Sequence, residues 1–227
     1  MKNFLLPVMA TVMLAGCGST GEPAIQTGPD AEVIDGNLHR VDNTRVELAY
    51  MDPNADFSRY QRLIVDPLGV DHVEIINPSA SKATRTGRDN WELDDKDRQA
   101  LRDAFADAMF NNLAKNGQYP IVEEAGDDVM RISAVLTAIA PNAPQDSWGS
   151  RSVGRTRVYS EGAGELFITI HFADSESGEV LALVKDQKEG SNMWGVNNRV
   201  SNLGEVRFMF NAWARQIRAW LDQMHSS

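Results

Sequence analysis

The sequence has one cysteine in 227 residues. An intrachain disulfide is therefore excluded, and stability has to come from a packed core. Basic charge is also short. Lys and Arg total 22 against 32 Asp and Glu, for a net charge of -10. Without a broad basic face, nucleic acid is disfavoured as a partner. Electrostatic adhesion to anionic lipid is disfavoured for the same reason. The apolar run Phe4 to Ala15 falls well short of the about 20 residues that a membrane span needs. Catalytic signatures are missing too. No Gly-x-Ser-x-Gly turn is present, and His39, His72, His171 and His225 lack the spacing of a metal helix. The reading is therefore no catalytic residue, no cofactor and no metal.

A hydrophobic content of 42% is enough for one real core, and the length allows one domain or at most two. At the N-terminus, Lys2 and the apolar run have the layout of an export signal. They lead into Leu14-Ala15-Gly16-Cys17, which is similar to the lipobox of bacterial lipoprotein signal peptides. The resemblance implies that residues 1–16 are removed and that the Cys17 thiol carries a diacylglyceryl group, palmitate among its acyl chains. It also implies a destination. Gly18 stands where an aspartate would retain the protein in the inner membrane, so the expectation is the outer membrane, facing the periplasm.

Residues 17–56 read as a flexible tether, broken by Gly18, Gly21, Pro23, Gly28 and Pro29. Such a tether reaches roughly 30 Å. Residues 57–227 read as a single domain. Leu63 to Val65 and Val73 to Ile76 are short apolar strands, and Tyr119 to Val122 is a further brief one. Asp94, Asp95 and Asp97 open a helix whose apolar face is Leu101, Phe105, Ala108, Met109 and Leu113, with Gly117 suited to its C′ position. Val129 to Ala140 alternates as a long half-buried strand. Leu166 to Phe172 and Val180 to Lys188 form a hairpin around Asp174-Ser175-Glu176-Ser177-Gly178. A last helix covers about 203–224, with Asn202 and Glu205 as its capping pair and Trp213 on its apolar stripe. The class is α+β. A mixed or antiparallel sheet of about four to five strands is packed by two helices, in the order strand, helix, strands, hairpin, helix.

Four segments resemble the DUF3313 family of bacterial lipoproteins, whose role is not established. They are the lipobox, Phe57-Ser58-Arg59-Tyr60 with Leu63-Ile64-Val65-Asp66-Pro67, the hairpin Asp174 to Ala182, and Phe210-Asn211-Ala212-Trp213-Ala214. The resemblance implies a location and a fold. It implies no site, because each segment is explained by a turn, a strand or a packed helix.

The acidic groups fit structural roles. Asp94, Asp95 and Asp97 complement a helix dipole, and Asp127 with Asp128 follows Gly126 in a turn. Gly149-Ser150-Arg151-Ser152-Val153-Gly154-Arg155-Thr156 imitates a phosphate loop, but arginine stands in the lysine position and no helix follows. What stands out is the insertion 142–162. Trp148, Arg151, Arg155 and Arg157 place arginines beside an aromatic in an acidic chain, a composition enriched at contact surfaces. Together these features point to a lipid-anchored, non-enzymatic interaction module of the cell envelope with a protein partner. The alternative is an envelope hydrolase or a small-ligand-binding lipoprotein.

Overall fold

The computed structural model describes residues 21–76, 92–141, 159–161, 164–190, 194–196 and 199–226. The strands are β1 (Ala24–Ile25), β2 (Val33–Ile34), β3 (Leu38–Asp42), β4 (Leu48–Met51), β5 (Arg62–Val65), β6 (Glu74–Ile75), β7 (Val129–Pro141), β8 (Tyr159–Glu161), β9 (Gly164–Asp174), β10 (Val180–Glu189) and β11 (Trp194–Val196). The helices are α1 (Asp95–Met109) and α2 (Arg199–Met224). Nine strands make one sheet, in the order β1-β3-β4-β10-β9-β7-β5, with β2 against β3 and β6 against β7. β8 and β11 pair separately.

The long strands β7 and β9 follow from strict alternation. Met130, Ile132, Ala134 and Leu136 share one face with Leu166, Ile168, Ile170 and Phe172, and all are buried under the helices. β5 and β6 pair with β7 in parallel, so α1 is the crossover that returns the chain to the same sheet. The other pairs in this sheet are antiparallel.

The mixed α+β class with two helices holds, but four to five strands is an undercount. The difference lies in residues 24–51, expected within a tether, which carry four strands of the sheet. Their strands are two to five residues long, too short for an apolar period to stand out. The turn signal was present in Asp35-Gly36. Both residues adopt positive φ, +50° and +84°, the left-handed conformation that closes β2 onto β3. In the stretch Tyr119 to Val122, Ile121 makes only an isolated bridge to Leu63.

α1 begins as a capping box. The Asp94 carboxylate accepts from the Asp97 N–H at 2.7 Å, and the Asp97 carboxylate accepts from the Asp94 N–H at 3.3 Å. The helix continues into a π turn over Phe110–Lys115. Gly117 lacks the positive φ expected of a C′ residue. It is needed for space: a Cβ there would lie 2.0 Å from the Leu113 carbonyl oxygen. α2 starts one turn earlier than expected, at Arg199, which places Asn202 and Glu205 inside the helix rather than at its cap. Extending a packed helix by a turn costs little once it is nucleated.

Two buried carboxylates tie the layers together. Asp186 on β10 is 6% exposed. It accepts from the Trp213 indole N–H at 2.7 Å and from the Glu47 backbone N–H at 3.2 Å, with the Lys188 amine 3.3 Å away. Trp213 is thereby both packed, at 2% exposure, and oriented. Asp174 ends β9. One of its oxygens accepts from the Glu176 N–H, the Ser177 N–H and the Ser177 hydroxyl, at 3.1, 2.8 and 2.9 Å. The other accepts from Arg59 Nη2 at 2.6 Å and the Tyr60 hydroxyl at 2.9 Å. The Ser177 backbone donor contributes most to holding its pKa down at about 2. Tyr60 is pushed up to about 12, first by burial and then by its bond to Asp174.

Two predictions follow from these carboxylates. Trp213→Ala removes a filled core volume and should cost about 3–5 kcal/mol. Trp213→Phe keeps most of the bulk but leaves Asp186 short of a donor, and should cost about 1–3 kcal/mol. Urea midpoints of the two variants test this order. For Asp174, a folded-state pKa below the unfolded value means stabilisation that is complete above about pH 4 and lost as pH falls through about 2. Asp174→Asn should lower the urea midpoint at pH 7 and flatten its decline across that acid window.

Candidate binding surface

Alternation puts a second set of side chains on the face of the sheet away from α1 and α2. Cross-strand pairing aligns Ser133, His171, Leu183, Tyr50 and Arg40 in one row across β7, β9, β10, β4 and β3. The next row is Val135, Thr169, Lys185 and Leu48. At the β3 and β4 side, Leu38, Tyr50 and Leu183 bury one another in a small cluster of their own, with Ile34, Leu48 and Val180 against it. At the β7 and β9 side the face is open. Val135 is 42% exposed and Thr137 is exposed, while Phe167, Thr169 and His171 are half-buried.

Ion pairs border this open floor. Arg131 Nη1 donates to Asp66 at 2.6 Å, and the Ser133 hydroxyl donates to the same carboxylate at 2.5 Å. Arg62 grips Asp128 with two donors. This raises the Arg62 pKa and lowers that of Asp128, and in each the hydrogen bond is the largest cause. On the far side the Tyr50 hydroxyl donates to Glu32, which also meets Arg40 at 3.2 Å. That first bond lowers Glu32 and raises Tyr50. His171 is pushed down by burial, with Asp35 opposing and Lys185 reinforcing the shift. An imidazole shifted that way is neutral at pH 7. The surface is thus open, mixed in polarity and bordered by carboxylates that already have partners.

A concave feature lies at the C-terminal end of α2. A depression of about 510 Å³ is lined by Gln61, Gln118, Tyr119, Asp222, His225 and Ser226. The Tyr119 hydroxyl donates to Asp222 at 2.9 Å, and Arg218 Nε stands 3.5 Å from the other oxygen of that carboxylate. Tyr119 is pushed up to about 12, first by burial and next by Asp222. His225 Nδ1 faces the Leu221 carbonyl at 2.8 Å, and its ring lies 5.5 Å from that of Tyr119. Among the described residues, no group of three or more His, Cys, Asp or Glu side chains is placed to hold a metal ion.

Cys17 and the contact candidates Trp148, Arg151, Arg155 and Arg157 lie outside the described residues. Of the scattered histidines, the fold brings His225 to Tyr119 and Asp222, and sets His171 on the open face. Val135 was visible in the sequence only as an apolar residue on the polar side of an alternating strand. Asp222 and Tyr119, more than 100 residues apart, carried no local signal.

No curated protein matches the chain. Among solved structures it is similar to a PelC dodecamer from Paraburkholderia phytofirmans, with 10% identity and a TM-score of 0.33, covering 69% of this chain and 88% of that one. A DUF330 protein from Xanthomonas campestris has 10% identity and a TM-score of 0.37, covering 74% and 88%. A neuraminyllactose-binding hemagglutinin homolog from Helicobacter pylori has 12% identity and a TM-score of 0.30, covering 73% and 82%. Likeness of this degree assigns neither ligand nor partner. The family model described as a protein of unknown function, DUF3313, matches residues 37–217. That span takes in three of the four segments on which the resemblance rested, and the chain belongs to the DUF3313 family.

Proposed function

We propose that this protein is a lipoprotein of the outer membrane, held through Cys17 and facing the periplasm, whose domain works as a non-enzymatic interaction module. The anchor rests on Leu14-Ala15-Gly16-Cys17. Among the described residues no helix is long and apolar enough to cross a membrane. The net charge of -10 disfavours electrostatic attachment to anionic lipid, whereas two acyl chains give stable attachment.

The observation that carries the binding role is the open floor of Val135, Thr137, Phe167, Thr169 and His171. The carboxylates that border it are engaged with Arg131, Ser133, Arg62 and Tyr50. The insertion bearing Trp148, Arg151, Arg155 and Arg157 leaves from Pro141 at the end of β7 and returns at β8, so it belongs to the same binding proposal. A second reading, a small-ligand-binding lipoprotein or an envelope hydrolase, is favoured by the depression beside Tyr119, Asp222 and His225.

Cys17→Ser should abolish incorporation of labelled palmitate and release the protein from the membrane fraction; retained label would refute the anchor. For the domain, a photoreactive residue at Thr137 should form discrete crosslinks in intact envelopes. Val135→Glu should remove those crosslinks while moving the urea midpoint by the equivalent of no more than about 0.5 kcal/mol. Serine at Arg151, Arg155 and Arg157 together should also weaken them. Crosslinks indifferent to Val135→Glu would move the binding role away from the sheet and toward the depression.

A further inference from the structure

We propose that the outer surface of the helical layer joins two copies of this chain, with α1 of one against α2 of the other across a two-fold axis. The first observation is apolar exposure. Phe110, at the end of α1, is 54% exposed, and Phe208 on α2 is 62% exposed. Both stand out from their own helices, whose other large apolar side chains, among the described residues, belong to the core or pack against it. They also lie close in sequence to the point where the helices touch. Asn112 donates to Asn211 there at 2.7 Å.

The second observation is charge. On α1 the exposed residues beside Phe110 include Asp103 and Asp107. On α2 the exposed residues beside Phe208 include Arg207 and Arg215. Asp103 accepts from Gln99 at 2.7 Å. Asp107, Arg207 and Arg215 have no side-chain partner among the described residues, although the two helices carrying them are in contact. One helix thus offers acid with an exposed phenylalanine, and its neighbour offers base with another. A surface of this kind is complementary to itself. A two-fold axis sets the acidic helix of each copy on the basic helix of the other, and every contact occurs twice.

An acidic partner or an anionic membrane would be drawn to Arg207 and Arg215 but repelled by Asp103 and Asp107. A second copy satisfies both sets. The available area is also of the right order. α1 with its π turn runs about 30 Å, and two helices side by side are about 20 Å wide. That footprint can supply the roughly 800 Å² per partner of a standard interface. The proposal concerns the face opposite the open sheet surface and stands independently of the function proposed above.

The test uses the full chain in mild detergent, with protein mass measured by light scattering across a concentration series. The parent should give twice the mass of one chain. Phe208→Glu should weaken the dimer at least about tenfold. Arg207→Asp should do the same by placing like charges together. Asp107→Arg combined with Arg207→Asp should restore the parent mass, an outcome that misfolding cannot produce. A monomeric parent, a dimer indifferent to either single change, or a double swap that remains monomeric would overturn the proposal. So would binding of the monomer to anionic vesicles that is lost with Arg207→Asp, which would assign the face to lipid.

Discussion

The carboxylate of Asp174 accepts five hydrogen bonds, and segments from distant parts of the chain meet on it. Three donors come from the hairpin turn that joins β9 to β10, the central antiparallel pair. Two come from Arg59 and Tyr60, at the entrance to β5 on the other side of β7. The register of the hairpin and the approach of the parallel strand are therefore set by one buried charge. A carboxylate in that setting has to be fully satisfied or it destabilises its surroundings. Phe57, in the same short segment, carries the effect onward. Its ring meets Trp220 of α2 at 5.0 Å, and Trp220 meets Phe172 at 4.9 Å.

This junction also explains why segments far apart in the sequence carried one family resemblance. Phe57-Ser58-Arg59-Tyr60 and the hairpin starting at Asp174 are two halves of a single contact. Phe210 to Ala214 plays a comparable part for the helices. Phe210 stacks edge-on against Phe105 at 5.6 Å, Asn211 receives Asn112, and Trp213 reaches Asp186. Each of these contacts holds one layer in register with the next.

The long elements were legible because their burial is one-sided. Period two in β7 and β9 and helical spacing in α1 and α2 are direct imprints of one sheet face packing on one helical layer. The N-terminal strands were not legible because strands of two to five residues cannot establish a period, and Gly and Pro between them imitate a linker. Asp35-Gly36 was the one local cue, and it needed flanking strands long enough to notice. The open floor was half legible: Val135 and His171 sat visibly on the polar side of their strands, but alternation alone does not say whether that side is covered. The depression was invisible, because Tyr119 and Asp222 are joined only by the docking of α2.

The N-terminal ribbon has a mechanical meaning as well. β1 is an edge strand bound to β3 through the pairs Ala24 with Asp42 and Ile25 with Val41. Any pull on the chain upstream of Ala24 falls on this edge, where the Asn43 amide also donates to the Glu22 carbonyl, before it reaches the inner strands. A strand of two residues has only two such pairs with which to resist it. β4, by contrast, lies against β10 over four residues deep in the sheet order. The ribbon is thus the outermost step of the sheet, and the four-residue β4–β10 pairing stands behind it in the path of any such load.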